Sequence, residues 1–209
     1  MVLPEANAAY ADQGYWEQRY ADESGQTFDW FKSYADVQAV LDAAIGGKDR
    51  RLLNLGCGNS ALAADLARAG YTAVHNIDYA DSVIRDMQAR HSDLPALTWE
   101  TKDIFAITAD AAYRERFDVA LDKGTIDALV AAASKEDPWN PPQATVDRMY
   151  DYMAQIRYLL KIGGRFVHIT FAQPHFRRRF CEAPGFGPVT VTELGEGWTY
   201  YLYTAERIA

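Results

Sequence analysis

Cysteine is scarce in this sequence: Cys57 and Cys181 are the only two among 209 residues. They lie far apart and offer neither a disulfide framework nor the spaced pairs of a zinc site, so no metal is expected. Positive charge is also in deficit. Lys and Arg number 21 against 29 Asp and Glu, a net charge of −8. A generic nucleic-acid surface needs clustered positive charge, and the one basic cluster is Arg177-Arg178-Arg179. Nucleic acid is therefore not an expected partner. Long apolar runs are missing too, and Met1-Val2-Leu3-Pro4-Glu5 has neither a basic n-region nor a signal-peptide core. A cytoplasmic protein without a membrane partner is the expectation, and a monomer is the default at this size. What remains is ordinary globular composition, 49% hydrophobic and 24% charged, enough for one domain with a full-sized core.

The stretch Arg51-Leu52-Leu53-Asn54-Leu55-Gly56-Cys57-Gly58-Asn59-Ser60 organises the rest. Its apolar run predicts a buried strand that breaks at Gly56 and Gly58. Leu62, Leu66, Ala67 and Ala69 follow at helical spacing. A strand, a glycine turn and a helix opening onto that turn form the first half of a nucleotide-binding βαβ unit. Glycines there let a ligand approach the main chain. Val74-His75-Asn76-Ile77-Asp78 predicts a second strand ending in the carboxylate that grips a ribose in such folds. Two further absences narrow the ligand. A dinucleotide fingerprint wants a third glycine, and a P-loop wants Gly-Lys-Ser/Thr; neither occurs here. Leu55-Gly56-Cys57-Gly58-Asn59-Ser60 instead resembles the first motif of class I methyltransferases, which bind S-adenosylmethionine, a ligand with no phosphate to cradle.

Residues 1–14 are expected to be loose, and residues 15–209 to form the domain. Trp16 and Tyr20 fall on one helical face, and Phe28-Asp29-Trp30-Phe31 adds a second aromatic group. These aromatics read either as packing at a sheet edge or as a cap with its π faces toward the cofactor. Ser33 is placed to cap a helix ending at Gly46-Gly47. Asp81-Ser82 starts the helix after the second strand and suits the capping role there, which leaves Asp78 free for ligand. Further strands are expected at Leu97–Thr101, Arg116–Asp122 and Phe166–Phe171, the last fed by a turn at Lys161–Arg165. Lys123–Leu129 predicts a turn and short helix, and residues 143–160 a long helix. Asp137-Pro138-Trp139-Asn140-Pro141-Pro142 is a rigid loop. Val189–Glu193 and Thr199–Ala205 complete a hairpin. The expected fold is α/β, a Rossmann-like seven-stranded mostly parallel sheet with helices on both faces and an antiparallel C-terminal hairpin. Ligands in such sheets sit at the strands' C-terminal ends, where Gly56, Gly58, Asp78, Asp103-Ile104 and Asp122-Lys123 all fall.

Leu55–Ser60, Ile77-Asp78-Tyr79, Lys123-Gly124-Thr125-Ile126-Asp127 and Pro174-His175-Phe176-Arg177 together resemble the eukaryotic lysine methyltransferases of the methyltransferase-like 13 type. Within it, the chain is similar to the subgroup that acts on translation elongation factor 1-alpha and is also found fused ahead of an endothelin-converting enzyme. The likeness runs from about Tyr15 to the C-terminus. It implies cofactor contacts at Trp16, Tyr20, Phe28, Trp30, Gly56, Gly58, Asp78, Tyr79, Asp103, Ile104, Asp122 and Lys123. Phe28 stands where the family usually has tyrosine, so only packing is implied there. Asn54 stands where many class I enzymes carry an acid for the methionine amino group. Asp78 would accept from the ribose hydroxyls. Tyr79 and Ile104 would sandwich the adenine, and Asp103 would accept its exocyclic amine. Lys123 would approach the methionine carboxylate, pair with Asp122, or be solvated.

The resemblance implies protein-lysine N-methylation, with elongation factor 1-alpha, a basic protein, as the substrate; the acidic net charge agrees with such a partner. Methyl transfer is an in-line displacement in which the enzyme aligns the reactants and excludes water, and the attacking lysine must be neutral. Asp122, Asp127 and His175 are candidates for relaying its proton near the mouth of the site. Pro138, Trp139 and the Pro174–Arg177 segment, read as a loop, are candidates for the substrate rim. Methylation of a small molecule and a silent cofactor-binding adaptor are the alternatives.

Overall fold

The computed structural model describes residues 4, 7–131, 140–195 and 199–209. Pro138 and Trp139, expected on the substrate rim, lie outside the described residues. Seven strands form one sheet: β1 Leu52–Leu55, β2 Val74–Asp78, β3 Leu97–Thr101, β4 Phe117–Lys123, β5 Leu160–Thr170, β6 Thr190–Leu194 and β7 Tyr200–Glu206. Their order is β3-β2-β1-β4-β5-β7-β6. The first five strands of that order run parallel, and β7 is antiparallel to both β5 and β6. The expected architecture, with its antiparallel end, is the one observed.

The strand register explains why the site residues meet. Leu55 at the end of β1 pairs with Ile77 of β2 on one side and Asp122 of β4 on the other. Asp78 pairs with Thr101 at the end of β3. Gly56, Asp78, Asp103 and Lys123 therefore leave the sheet along one edge. Strand order reverses between β1 and β4, which opens a crevice above that edge.

Alternation along the strands feeds two cores. On one face Leu52, Val119, Leu121 and Val167 pack with Val37 and Leu41 of α2 (Tyr34–Ile45) and Leu62 and Leu66 of α3 (Leu62–Arg68). On the other, Leu53, Leu55, Ala120 and Phe166 pack with Met149, Met153 and Ile156 of α6 (Gln143–Leu159) and Phe180 of α7 (Pro174–Cys181). Ser33 and Asp36 make a full capping box at the start of α2, which ends at Gly46 in the left-handed region.

Three local expectations need correction. Lys161–Arg165 is not a turn: β5 starts at Leu160 and runs through these residues, pairing with β4 at Leu160 and again from Arg165, while Gly163 and Gly164 between them exchange hydrogen bonds with Arg207 just past β7. Pro174–Arg177 is not a loop but the first turn of α7, with Pro174 at the position where a fixed φ and a missing N–H are tolerated. Asp81 and Ser82 do not cap α4 (Asp81–Arg90). Its first turn is capped from another helix, α1 (Gln13–Asp22), whose Glu17 Oε1 accepts from Ser82 N at 3.2 Å.

Beneath the crevice lies a closed polar cluster. Asp122 is 0% exposed and accepts from Tyr152 of α6 at 2.6 Å, with His168 Nδ1 of β5 at 2.9 Å from its other oxygen. A buried carboxylate needs such partners. Tyr152→Phe keeps the ring's packing and removes one of them, so urea unfolding is expected to report a loss of ~1–3 kcal/mol.

Candidate functional site

The crevice is a cavity of about 150 Å³ at the C-terminal ends of β1, β2 and β4. Its walls include Trp16, Tyr20, Phe28, Trp30, Gly56, Gly58, Asp78, Tyr79, Asp103, Ile104 and Lys123. Every expected cofactor contact except Asp122 is thus brought to one place. The turn after β1 is built for close approach. Gly56 has φ +59°, and a Cβ there would collide with the side chain of Thr125, whose hydroxyl donates to Leu55 O at 2.8 Å. Thr125 begins α5 (Thr125–Val130), so this contact ties the end of β1 to the helix after β4. Asn54 turns out to be a sheet residue, donating to Asn76 Oδ1 at 3.0 Å rather than facing the cavity.

Asp78 is buried at the end of β2. Its Oδ2 accepts from Gly58 N and its Oδ1 from Ala80 N, each at 3.0 Å. Burial pushes its pKa up to about 6 from the ordinary 3.8, against the pull of those two N–H groups. Each carboxylate oxygen keeps a further lone pair for a ligand hydroxyl. Asp103 is exposed and accepts from Phe105 N at 2.9 Å, while Ile104 is buried beside it.

The N-terminal aromatics close the cavity's outer side, and sequence reasoning missed what holds them. Arg19 is buried, its guanidinium 5.3 Å from the Trp16 and Phe28 rings and 5.4 Å from Trp30. Glu23 and the Tyr15 hydroxyl, each at 3.3 Å, complete its surroundings. The end of the segment expected to be loose forms a 3-10 turn over Asn7–Ala11. Tyr10 O accepts from Trp16 Nε1 at 2.7 Å, and the Tyr10 ring meets Trp30 edge-on. Lys123 is neither solvated nor paired with Asp122. Its ammonium donates to Asp29 at 2.9 Å and to Trp30 O at 3.0 Å, and Ser60 Oγ donates to the same Asp29 oxygen. Arg19 and Asp29 carry no motif; the partners of Asp29, Ser60 and Lys123, are distant in sequence, and only the aromatic neighbours of Arg19 hint at its role.

A second cavity, of about 920 Å³, adjoins the first. The two share Tyr10, Trp16, Trp30, Gly124 and Ala128 in their walls. Asp127 and Arg177 border the larger one. The three proton-relay candidates therefore separate. Asp127 lines this space, Asp122 is in the closed cluster below and not at the mouth, and His175 is exposed on α7 and lines neither cavity.

Residues 47–202 match the family model described as a methyltransferase domain. The chain belongs to the methyltransferase-domain family. Among curated relatives it is 37% identical over 208 residues to the EEF1A lysine methyltransferase 4 of Mus musculus, covering 98% of this chain and 79% of that protein. It is 32% identical over 201 residues to the eEF1A lysine and N-terminal methyltransferase of Xenopus laevis, covering 95% of this chain and 27% of that one. Among solved structures, the N-methyltransferase NodS of Bradyrhizobium japonicum, in complex with S-adenosyl-L-homocysteine, superposes with a TM-score of 0.63 at 17% identity. The match covers 92% of this chain and 98% of that one. S-adenosylmethionine is the family's methyl donor, and the chain is a methyltransferase that uses it.

The crevice suits that donor: a glycine turn with no room for a Cβ, a buried carboxylate with spare lone pairs, and aromatic rings on the open side. Two predictions follow from this geometry. A free methyltransferase whose Asp78 titrates near 6 must lose a proton to bind ribose through the carboxylate. Cofactor affinity measured by calorimetry is expected to be flat above pH 7 and to fall up to about tenfold per unit below pH 6, and Asp78→Asn is expected to remove this slope. In the unliganded protein the sign is opposite: the unfolded chain ionises Asp78 first, so this group's contribution to stability declines as pH rises from 3.8 to about 6. Gly56→Ala forces an L side chain into the left-handed region against Thr125 and is expected to cost at least ~1–2 kcal/mol in thermal or urea unfolding.

Proposed function

We propose that this methyltransferase is a protein-lysine N-methyltransferase whose substrate is translation elongation factor 1-alpha, working as a monomer in the cytoplasm. The observation that carries the reading is the likeness to the elongation-factor enzymes along almost the whole chain, which includes the segments that build both cavities. When bound, S-adenosylmethionine supplies an electrophilic methyl group on a sulfonium. Asp78 holds the ribose hydroxyls. Tyr79 and Ile104 flank the adenine, with Asp103 toward its amine, and Trp16, Tyr20, Phe28 and Trp30 keep water from that side. The target lysine enters from the larger cavity and meets the cofactor across the shared wall at Tyr10, Trp30 and Gly124. A small-molecule acceptor is the second reading, because an aromatic-lined space of about 920 Å³ is of ligand-binding size.

Calorimetry and labelled-methyl transfer test both. Wild-type protein is expected to bind S-adenosylmethionine at micromolar Kd, and Asp78→Ala to lose about 2 kcal/mol or more, roughly thirtyfold. Label is expected on a lysine of purified elongation factor 1-alpha. Cofactor binding with no label on that protein, and label in the small-molecule fraction of an extract, would select the second reading.

A further inference from the structure

Asp127 and Arg177 make an ion pair that the cofactor site does not employ. Asp127 lies in the first turn of α5 and Arg177 on α7, 7% and 5% exposed. Arg177 Nη2 donates to Asp127 Oδ1 at 2.8 Å, and Thr170 Oγ1 donates to the same oxygen at 2.6 Å. Asp127 Oδ2 and Arg177 Nε have no partner among the described residues. Buried polar atoms are nearly always satisfied, so a spare acceptor and a spare donor within one buried pair are an anomaly that a ligand would resolve. Both residues border the larger cavity, and the neighbours of Asp127 along the chain, Gly124 and Ala128, belong to the wall it shares with the cofactor cavity.

We infer that Asp127 is the hydrogen-bond acceptor for an N–H of the target amine, and that Arg177 keeps that carboxylate from holding the amine as an ammonium. An ammonium has no lone pair for attack. An isolated carboxylate would favour it and raise its pKa, whereas a carboxylate offset by a guanidinium presents an acceptor with little net negative field. The broad χ2 torsion of aspartate lets either oxygen face the cavity. The ammonium first gives its extra proton to water. The nitrogen lone pair then forms the N–C bond while the S–C bond breaks, its electron pair staying on sulfur. This inference rests on the protein-lysine reading.

Asp127→Asn keeps an oxygen for Thr170 and Arg177 and puts an NH2 where the spare acceptor stood. Its cofactor affinity by calorimetry is expected to stay within about twofold of wild type, while kcat for labelled-methyl transfer to elongation factor 1-alpha falls about 100-fold. Arg177→Gln leaves the carboxylate uncompensated and is expected to move the acidic limb of kcat/KM up by about one pH unit, which a loosened fold does not do. Wild-type turnover by a folded, cofactor-binding Asp127→Asn overturns the inference, and so does an unmoved limb in Arg177→Gln, which decides alone should Asp127→Asn not fold. A wild-type protein that binds cofactor but labels no lysine overturns the underlying reading instead, and with it the role given to Asp127.

Discussion

Lys123 leaves the end of β4 with its ammonium almost wholly out of water, and a charge in that position has to be paired. Burial lowers its pKa, and the Asp29 carboxylate opposes that drop. The pairing has a structural consequence larger than its energy. Asp29 belongs to the segment before the first strand, and the same carboxylate is reached by Ser60 just after the glycine turn. Three parts of the chain that are remote in sequence are thereby fixed to one oxygen. Trp30, the next residue, receives the third link through its carbonyl, so the aromatic side of the crevice is placed by the sheet and not by its own packing alone.

The N-terminal helix is tied down at its other side by the same economy of means. Glu17 satisfies a backbone N–H at the start of α4, a place where that helix lacks a side-chain cap of its own. Asp86 and Arg90 of α4 in turn hold Ser24, Gln26 and Thr27 of the loop that follows α1. One helix lends the other a cap, and the loop leading to Phe28 and Trp30 is anchored in return.

Local chemistry made most of the fold legible. The strand ends at Gly56, Asp78 and Lys123, the cap at Ser33 and the stop at Gly46 each follow from residues adjacent to the event. The errors came where a distant partner decides. Lys161–Arg165 contains two glycines and reads as a turn, yet hydrogen bonds to Arg207, just past β7, draw it into β5. Pro174 reads as a loop residue, although the start of a helix accepts proline equally well. Asp122 looked like a site residue because it ends the apolar run of β4, but its side chain alternates to the inner face, where Tyr152 and His168 claim it. The cofactor crevice was legible through its glycines and acids. The larger cavity was not, because its walls come from six separate stretches that only the packed fold brings together.

The buried guanidinium of Arg19 changes what the aromatic side of the crevice can offer. A ring attracts a cation through the negative charge of its face, and Trp16, Phe28 and Trp30 each already have one within 5.4 Å. Those ring faces are already committed to a cation of the protein's own, whose charge Glu23 offsets at 3.3 Å, so Arg19 knits three separate aromatic residues into one wall that holds its shape around whatever the crevice binds.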